Sequence, residues 1–217
     1  MRLLKLWLAS LFLIASPIVH DQSADDDLRV YGTSIINSIP FERRFSGYGI
    51  YLGNNAILTA AHVVGHWSLF SDPKIAIGNQ EIPAKVIKKG SFPDLDLALL
   101  VVADDALPVS LRLRRNPLCK SPPNVGMSVV VVYPDRTMRS HIVSALAIAP
   151  QHRAQFGTLI TEPQGSGSGV FDPERKCLLG IMSAAVLRSN SKAANDRLGY
   201  FVPASTIATF IPAHLHF

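Results

Sequence analysis

The sequence predicts an all-β fold of many short strands, and three observations carry that expectation. Hydrophobic residues make up 48% of the 217 positions and charged ones only 17%, enough for a packed core. The apolar runs are short and lack a long helical period, a heptad or a repeat. Between them fall 14 glycines and 15 prolines, which punctuate the chain with turns. Strands at this spacing fit barrels or a sandwich and do not fit a parallel α/β sheet.

Residues 1–20 stand apart. Arg2 and Lys5 precede a largely apolar run from Leu6 to Val19. A basic start followed by so short a run reads as a secretory signal or an N-terminal anchor, since a spanning helix needs about 20 apolar residues. Asp25, Asp26 and Asp27 then form an exposed acidic leader. The expected location is secreted or periplasmic.

Six strands are expected next, over residues 29–36, 47–52, 56–60, 74–77, 83–87 and 95–102. Asn54 and Asn55 supply the turn between the second and third. Residues 104–117 read as a connector. A second set is expected over 128–133, 141–148, 157–161, 169–171, 178–185 and 199–202, with Pro134 and Asp135 closing its first strand. Ile207, Phe210, Ile211 and Leu215 then recur at helical spacing, which suits a short closing helix within residues 203–217.

The formal net charge is +5. Its basic residues, such as Arg43, Arg44, Lys88, Lys89, Arg112, Arg114 and Arg115, are scattered without interleaved aromatics. That distribution is a solvated surface and excludes a nucleic-acid footprint. Cys119 and Cys177 are the two cysteines. Export permits a disulfide between them, and two separate buried thiols are the other reading. Neither has a His or Cys at ligand spacing, so no metal site is expected.

Three strings carry chemistry. Leu58-Thr59-Ala60-Ala61-His62 ends an apolar strand on a histidine. Asp96 leads into the apolar run Leu97 to Leu100, and a carboxylate entering a core needs a partner. Asp94 is its rival, two residues earlier on the same side of an extended chain. The third string is Gln164-Gly165-Ser166-Gly167-Ser168-Gly169-Val170-Phe171, a serine between glycines ahead of a strand. Nucleophilic serine chemistry needs these three groups: an attacking hydroxyl, a base, and a carboxylate that fixes the base's tautomer.

In the order His, Asp, Ser, the strings resemble the chymotrypsin-like (trypsin-like) serine protease family, closer to its bacterial branch. The resemblance covers roughly residues 30–217 and is firmest at the three strings. It implies two six-stranded antiparallel β-barrels, with the active site in the cleft between them and a short C-terminal helix. The barrels would span 28–110, with His62 and Asp96, and 118–217, with Ser166 and the terminal helix. Ser166 fits the nucleophile's following residues at every step, whereas from Ser168 the apolar pair comes two residues early. Ser183 matches the cleft-strand serine that contacts the orienting aspartate.

The same resemblance implies an oxyanion hole from the backbone N–H groups of Gln164 and Ser166. Gln164 stands where the family usually has glycine. It further implies a substrate pocket lined near Ile160, Ser183, Ala185 and Gly199. None of these is charged, and Met182 stands where glutamate-specific relatives have histidine, so a small or medium apolar residue is the expected preference. Gly165 replaces the aspartate with which the trypsin branch pairs a newly cut N-terminus, so no such switch is expected despite Arg29-Val30-Tyr31-Gly32. The reading is an exported, monomeric serine endopeptidase with a polypeptide substrate and no cofactor. The alternative is a catalytically weak protease-fold module that binds a peptide or protein.

Overall fold

The computed structural model describes residues 25–39, 42–65, 72–92, 94–147, 159–160, 165–187 and 197–215. The expected signal or anchor over 1–20 and the site residue Gln164 lie outside them.

The first half begins with a 3-10 segment, Asp27–Tyr31, where a strand was expected from residue 29. Leu28 explains the difference: it is buried in the core, and a tight turn there delivers its side chain inward. Seven strands follow: β1 (Gly32–Ile39), β2 (Glu42–Gly53), β3 (Ala56–Thr59), β4 (Lys74–Ile77), β5 (Gln80–Pro83), β6 (Lys85–Lys89) and β7 (Ala98–Val101). They hydrogen-bond in the order β5-β4-β1-β2-β3-β7-β6. Its two outer strands are consecutive in the chain and separated only by Ala84, so the sheet curls round on itself. Counted as one strand bent at Ala84, β5 and β6 give the six strands expected. Asn54 and Asn55 both take positive φ, 46° and 59°, as the two central residues of a tight hairpin turn require.

The second half is a closed six-stranded barrel. Its strands are β8 (Ser128–Val132), β9 (Thr137–Val143), β10 (Leu159–Ile160), β11 (Gly169–Asp172), β12 (Cys177–Leu187) and β13 (Arg197–Pro203), in the order β10-β13-β12-β11-β8-β9. The β8–β9 hairpin is tighter than expected. Tyr133 N–H donates to the Arg136 carbonyl at 2.9 Å, so β9 starts at Thr137 rather than at 141. A disulfide joins Cys119 to Cys177 at the start of β12.

Apolar strands are buried on both faces, and the alternation decides which core each residue enters. In β3, Ile57 packs inside the first sheet, while Ala56 and Leu58 face a shared core. In β8, Val129 and Val131 fill the second barrel, while Val130 and Val132 face the shared core. That shared core also takes Leu28, Leu97, Leu99, Phe171, Ile207 and Phe210, and it fixes one half against the other. Helix α1 (Ala61–Val64) and helix α2 (Val109–Arg112) are single turns, the latter within the connector. Helix α3 (Ala204–Phe210) closes the chain and buries Ala204, Ile207 and Phe210. Lys88 of the first sheet donates to the Phe210 carbonyl at 2.7 Å, satisfying that helix's C-terminal end.

Candidate active site

β3 ends at Thr59, and the chain turns directly into α1, which carries His62. Across the sheet, Thr59 is paired with Ala98 at the start of β7, so the residues just before β7 arrive beside α1. Asp96 is one of them. Its Oδ2 lies 2.7 Å from His62 Nδ1, and its Oδ1 accepts the His62 backbone N–H at 3.0 Å. Asp96 is 3% exposed, whereas its rival Asp94 is exposed.

A third hydrogen bond reaches the same carboxylate: Ser183 Oγ donates to Asp96 Oδ2 at 2.5 Å. Ser183 sits at a break in register between Met182 and Ala184 of β12, where the bulge turns its side chain off the regular pleat. Burial works against the ionised Asp96. Hydrogen bonds from the His62 ring, the Ser183 hydroxyl and the His62 amide outweigh it and hold the carboxyl below its ordinary value. A carboxylate so held keeps the proton of a neutral His62 on Nδ1 and leaves Nε2 free to accept one. The imidazole is 40% exposed, so that face is open.

Ser166 joins the cluster through the same residue, its Oγ donating to the Ser183 carbonyl at 3.1 Å. Ser183 thus holds Asp96 with its hydroxyl and Ser166 with its carbonyl. No hydrogen bond links Ser166 to His62 among the described residues. Ser168 is different: it is fully buried, and its Oγ donates to the Gly165 carbonyl at 2.6 Å. Ser166 is the less buried of the two. Gly167, between them, takes φ +85°.

The expected pocket residues form one row across three strands. Ile160 of β10 is opposite Gly199 of β13, which is opposite Ala185 of β12. No charged residue belongs to that row. Two surface cavities, of about 340 and 510 Å³, lie elsewhere and include none of His62, Asp96 and Ser166. No cluster of metal-ligating side chains occurs among the described residues.

Several neighbours were not anticipated from the sequence. Tyr48 N–H donates to the Ser166 carbonyl at 2.9 Å, and the Tyr48 carbonyl accepts from Thr59 Oγ1 at 2.5 Å. Tyr133 accepts from Gly165 N–H at 3.3 Å. The ring of Phe92, 53% exposed, meets His62 edge-on at 6.0 Å between centroids. Tyr200 is raised by burial and then by the negative Asp96 nearby. Only Tyr48 had a visible sign, its flanking Gly47 and Gly49, which mark a close backbone approach.

A pair of curled antiparallel sheets thus brings His62, Asp96 and Ser166 together through Ser183. The chain belongs to the trypsin-like peptidases: the family model described as trypsin-like peptidase domain matches residues 47–181, and the protein is thus a serine endopeptidase by family. The fold is similar to that of the Rv3671c protease from M. tuberculosis in its active form, at 17% identity and TM-score 0.62 over 97% of this chain and 92% of that one. It is similar also to a serine endoprotease from Yersinia pestis, at 18% identity and TM-score 0.59 over 86% of this chain and 63% of that one. No curated protein matches the chain significantly.

Proposed function

We propose that this peptidase cleaves polypeptides through Ser166, His62 and Asp96. The observation that carries the reading is the His62–Asp96 contact at 2.7 Å, made by a carboxylate that is 3% exposed and shares Ser183 with Ser166. Ser166 Oγ turns from the Ser183 carbonyl to His62 Nε2, a rotation about one side-chain bond between staggered positions. Such hydrogen bonds often tighten only when substrate is bound.

Oγ then attacks the scissile carbonyl carbon while His62 takes its proton. The carbonyl oxygen, now negative, is held by the N–H groups of Ser166 and Gln164. As the tetrahedral species collapses, the C–N bond breaks and His62 protonates the departing amine, leaving an acyl ester on Ser166. Water repeats the cycle: His62 takes its proton, the hydroxide oxygen adds to the ester, and Ser166 leaves with that proton while the acid is released. Asp96 keeps the imidazole oriented and stabilises its positive form throughout.

The uncharged row of Ile160, Gly199 and Ala185 favours a small or medium apolar side chain before the cleaved bond, since shape is all such a pocket can read. Export after use of residues 1–20 as a signal, a monomeric state, and barrels spanning 28–110 and 118–217 complete the reading. The test is hydrolysis of a mixed peptide library by the purified chain. Cleavage by wild type and by Ser168→Ala, absent from Ser166→Ala, is the expected result. Equal cleavage by Ser166→Ala overturns the assignment, and a folded wild type that binds peptides without cutting them replaces it with a binding module.

A further inference from the structure

A loop with glycines at 165 and 167 has little stiffness of its own, because glycine loses more conformational freedom on ordering than any other residue. Whatever holds Ser166 in place must therefore come from its neighbours. Gly167 N–H donates to the Met182 carbonyl at 2.8 Å, and the Ser166 carbonyl accepts from Tyr48 N–H at 2.9 Å. Both are backbone ties, at and after the serine. The tie before it is a side chain: Gly165 N–H donates to the hydroxyl of Tyr133 at 3.3 Å.

Tyr133 is built to stay where it is. It directly follows β8 and is 1% exposed. Its ring meets that of Tyr48 edge-on, with centroids 4.9 Å apart and planes at 83°. The Arg136 guanidinium lies 4.3 Å over its face. Burial raises the phenol above its ordinary value, so it stays neutral, with its oxygen accepting from Gly165 N–H. The phenol thus meets the loop at the residue immediately before Ser166. The fit is tight: a Cβ at Gly165 would come within 2.4 Å of Tyr48 Cε2.

We propose that Tyr133 is a positioning residue for the nucleophile, its hydroxyl pinning Gly165 so that Ser166 is held ready without any substrate present. The proposal rests on Ser166 being the nucleophile. Tyr133→Phe removes the hydroxyl and keeps the ring, so packing is preserved. Its fluorophosphonate labelling rate should fall roughly tenfold, the kinetic weight of one hydrogen bond. On a peptide substrate the loss should fall on kcat with KM unchanged, while the thermal midpoint stays close to wild type. Labelling of Tyr133→Phe at the wild-type rate overturns the proposal, as does a loss that appears only in KM.

Amide hydrogen exchange of Gly165 in wild type is the second measurement, free of any folding risk. Protection of that amide supports the proposal; exchange at the rate of an unbonded glycine contradicts it. Because exchange needs no chemistry at Ser166, it still decides the role of Tyr133 if wild type takes no label at all. Only the nucleophile assignment would fail in that case.

Discussion

Asp96 has three hydrogen-bond donors around one buried carboxylate, and two of them come from His62 itself. Replacing it by Asn keeps the shape but presents an amide to Nδ1, which favours the wrong tautomer of the ring. Asp96→Asn should lower kcat by about ten-thousandfold, measured on any cleaved peptide with a folded control by circular dichroism. The same carboxyl links stability to pH. Its folded value lies below the ordinary 3.8, so its contribution is fully present above about pH 3.8 and is lost as pH falls through the lower folded value. Thermal midpoints of wild type and Asp96→Asn should therefore differ at neutral pH and converge in acid. At this scale the candidate triad was legible because each member sits in a short local string. Asp96 over Asp94 followed from the residues after it, and its burial agrees with that choice. Tyr133 and Ser183 differ in the same respect: Ser183 had a motif, whereas Tyr133 meets Gly165 only after a hairpin and a barrel have folded.

The loop from Gly165 to Ser168 depends on conformations that only glycine supplies cheaply. Gly167 has φ +85°, and a Cβ there would come within 1.9 Å of the Tyr48 carbonyl oxygen and 2.5 Å of Thr59 Oγ1. Left-handed backbone alone costs a side-chain-bearing residue roughly 1–2 kcal/mol, and this clash with backbone adds to it. Gly167→Ala should reduce fluorophosphonate labelling by about two orders of magnitude, comparable to losing one oxyanion donor, and lower the thermal midpoint. Labelling unchanged by that substitution would show that the loop tolerates another path. Strand positions were readable wherever apolar runs met turn residues, as at Asn54-Asn55 and in β8. Boundaries were not readable where tertiary contacts set them. Leu28 draws residues 27–31 into a 3-10 turn, Ala84 bends one strand into two, and the tight turn at Tyr133–Arg136 starts β9 early.

The two halves meet across a core to which both contribute, so the cleft residues are fixed by packing that neither sheet makes alone. The chain's N-terminal side takes part in this. Leu28 is 4% exposed within the shared core, Tyr31 stacks on Phe171 at 6.3 Å, and Asp25 pairs with Arg139 of β9 at 2.8 Å. A segment anchored at three points is poorly placed to supply a cut terminus, and Gly165 offers no carboxylate to receive one. Labelled protein should retain an intact Arg29–Val30 bond by intact mass, and labelling that appears only after cleavage there would refute this. Two-barrel architecture was legible only through the family resemblance, since alternation and turn spacing fit a sandwich equally well.

In the proposed mechanism Ser166, and not Ser168, carries the reactive hydroxyl. The most direct test of that assignment is fluorophosphonate labelling of the purified chain, followed by mapping of the adduct by mass spectrometry. One adduct is expected, on Ser166, present in Ser168→Ala and absent from Ser166→Ala. An adduct on Ser168, or one that survives Ser166→Ala, would contradict the assignment.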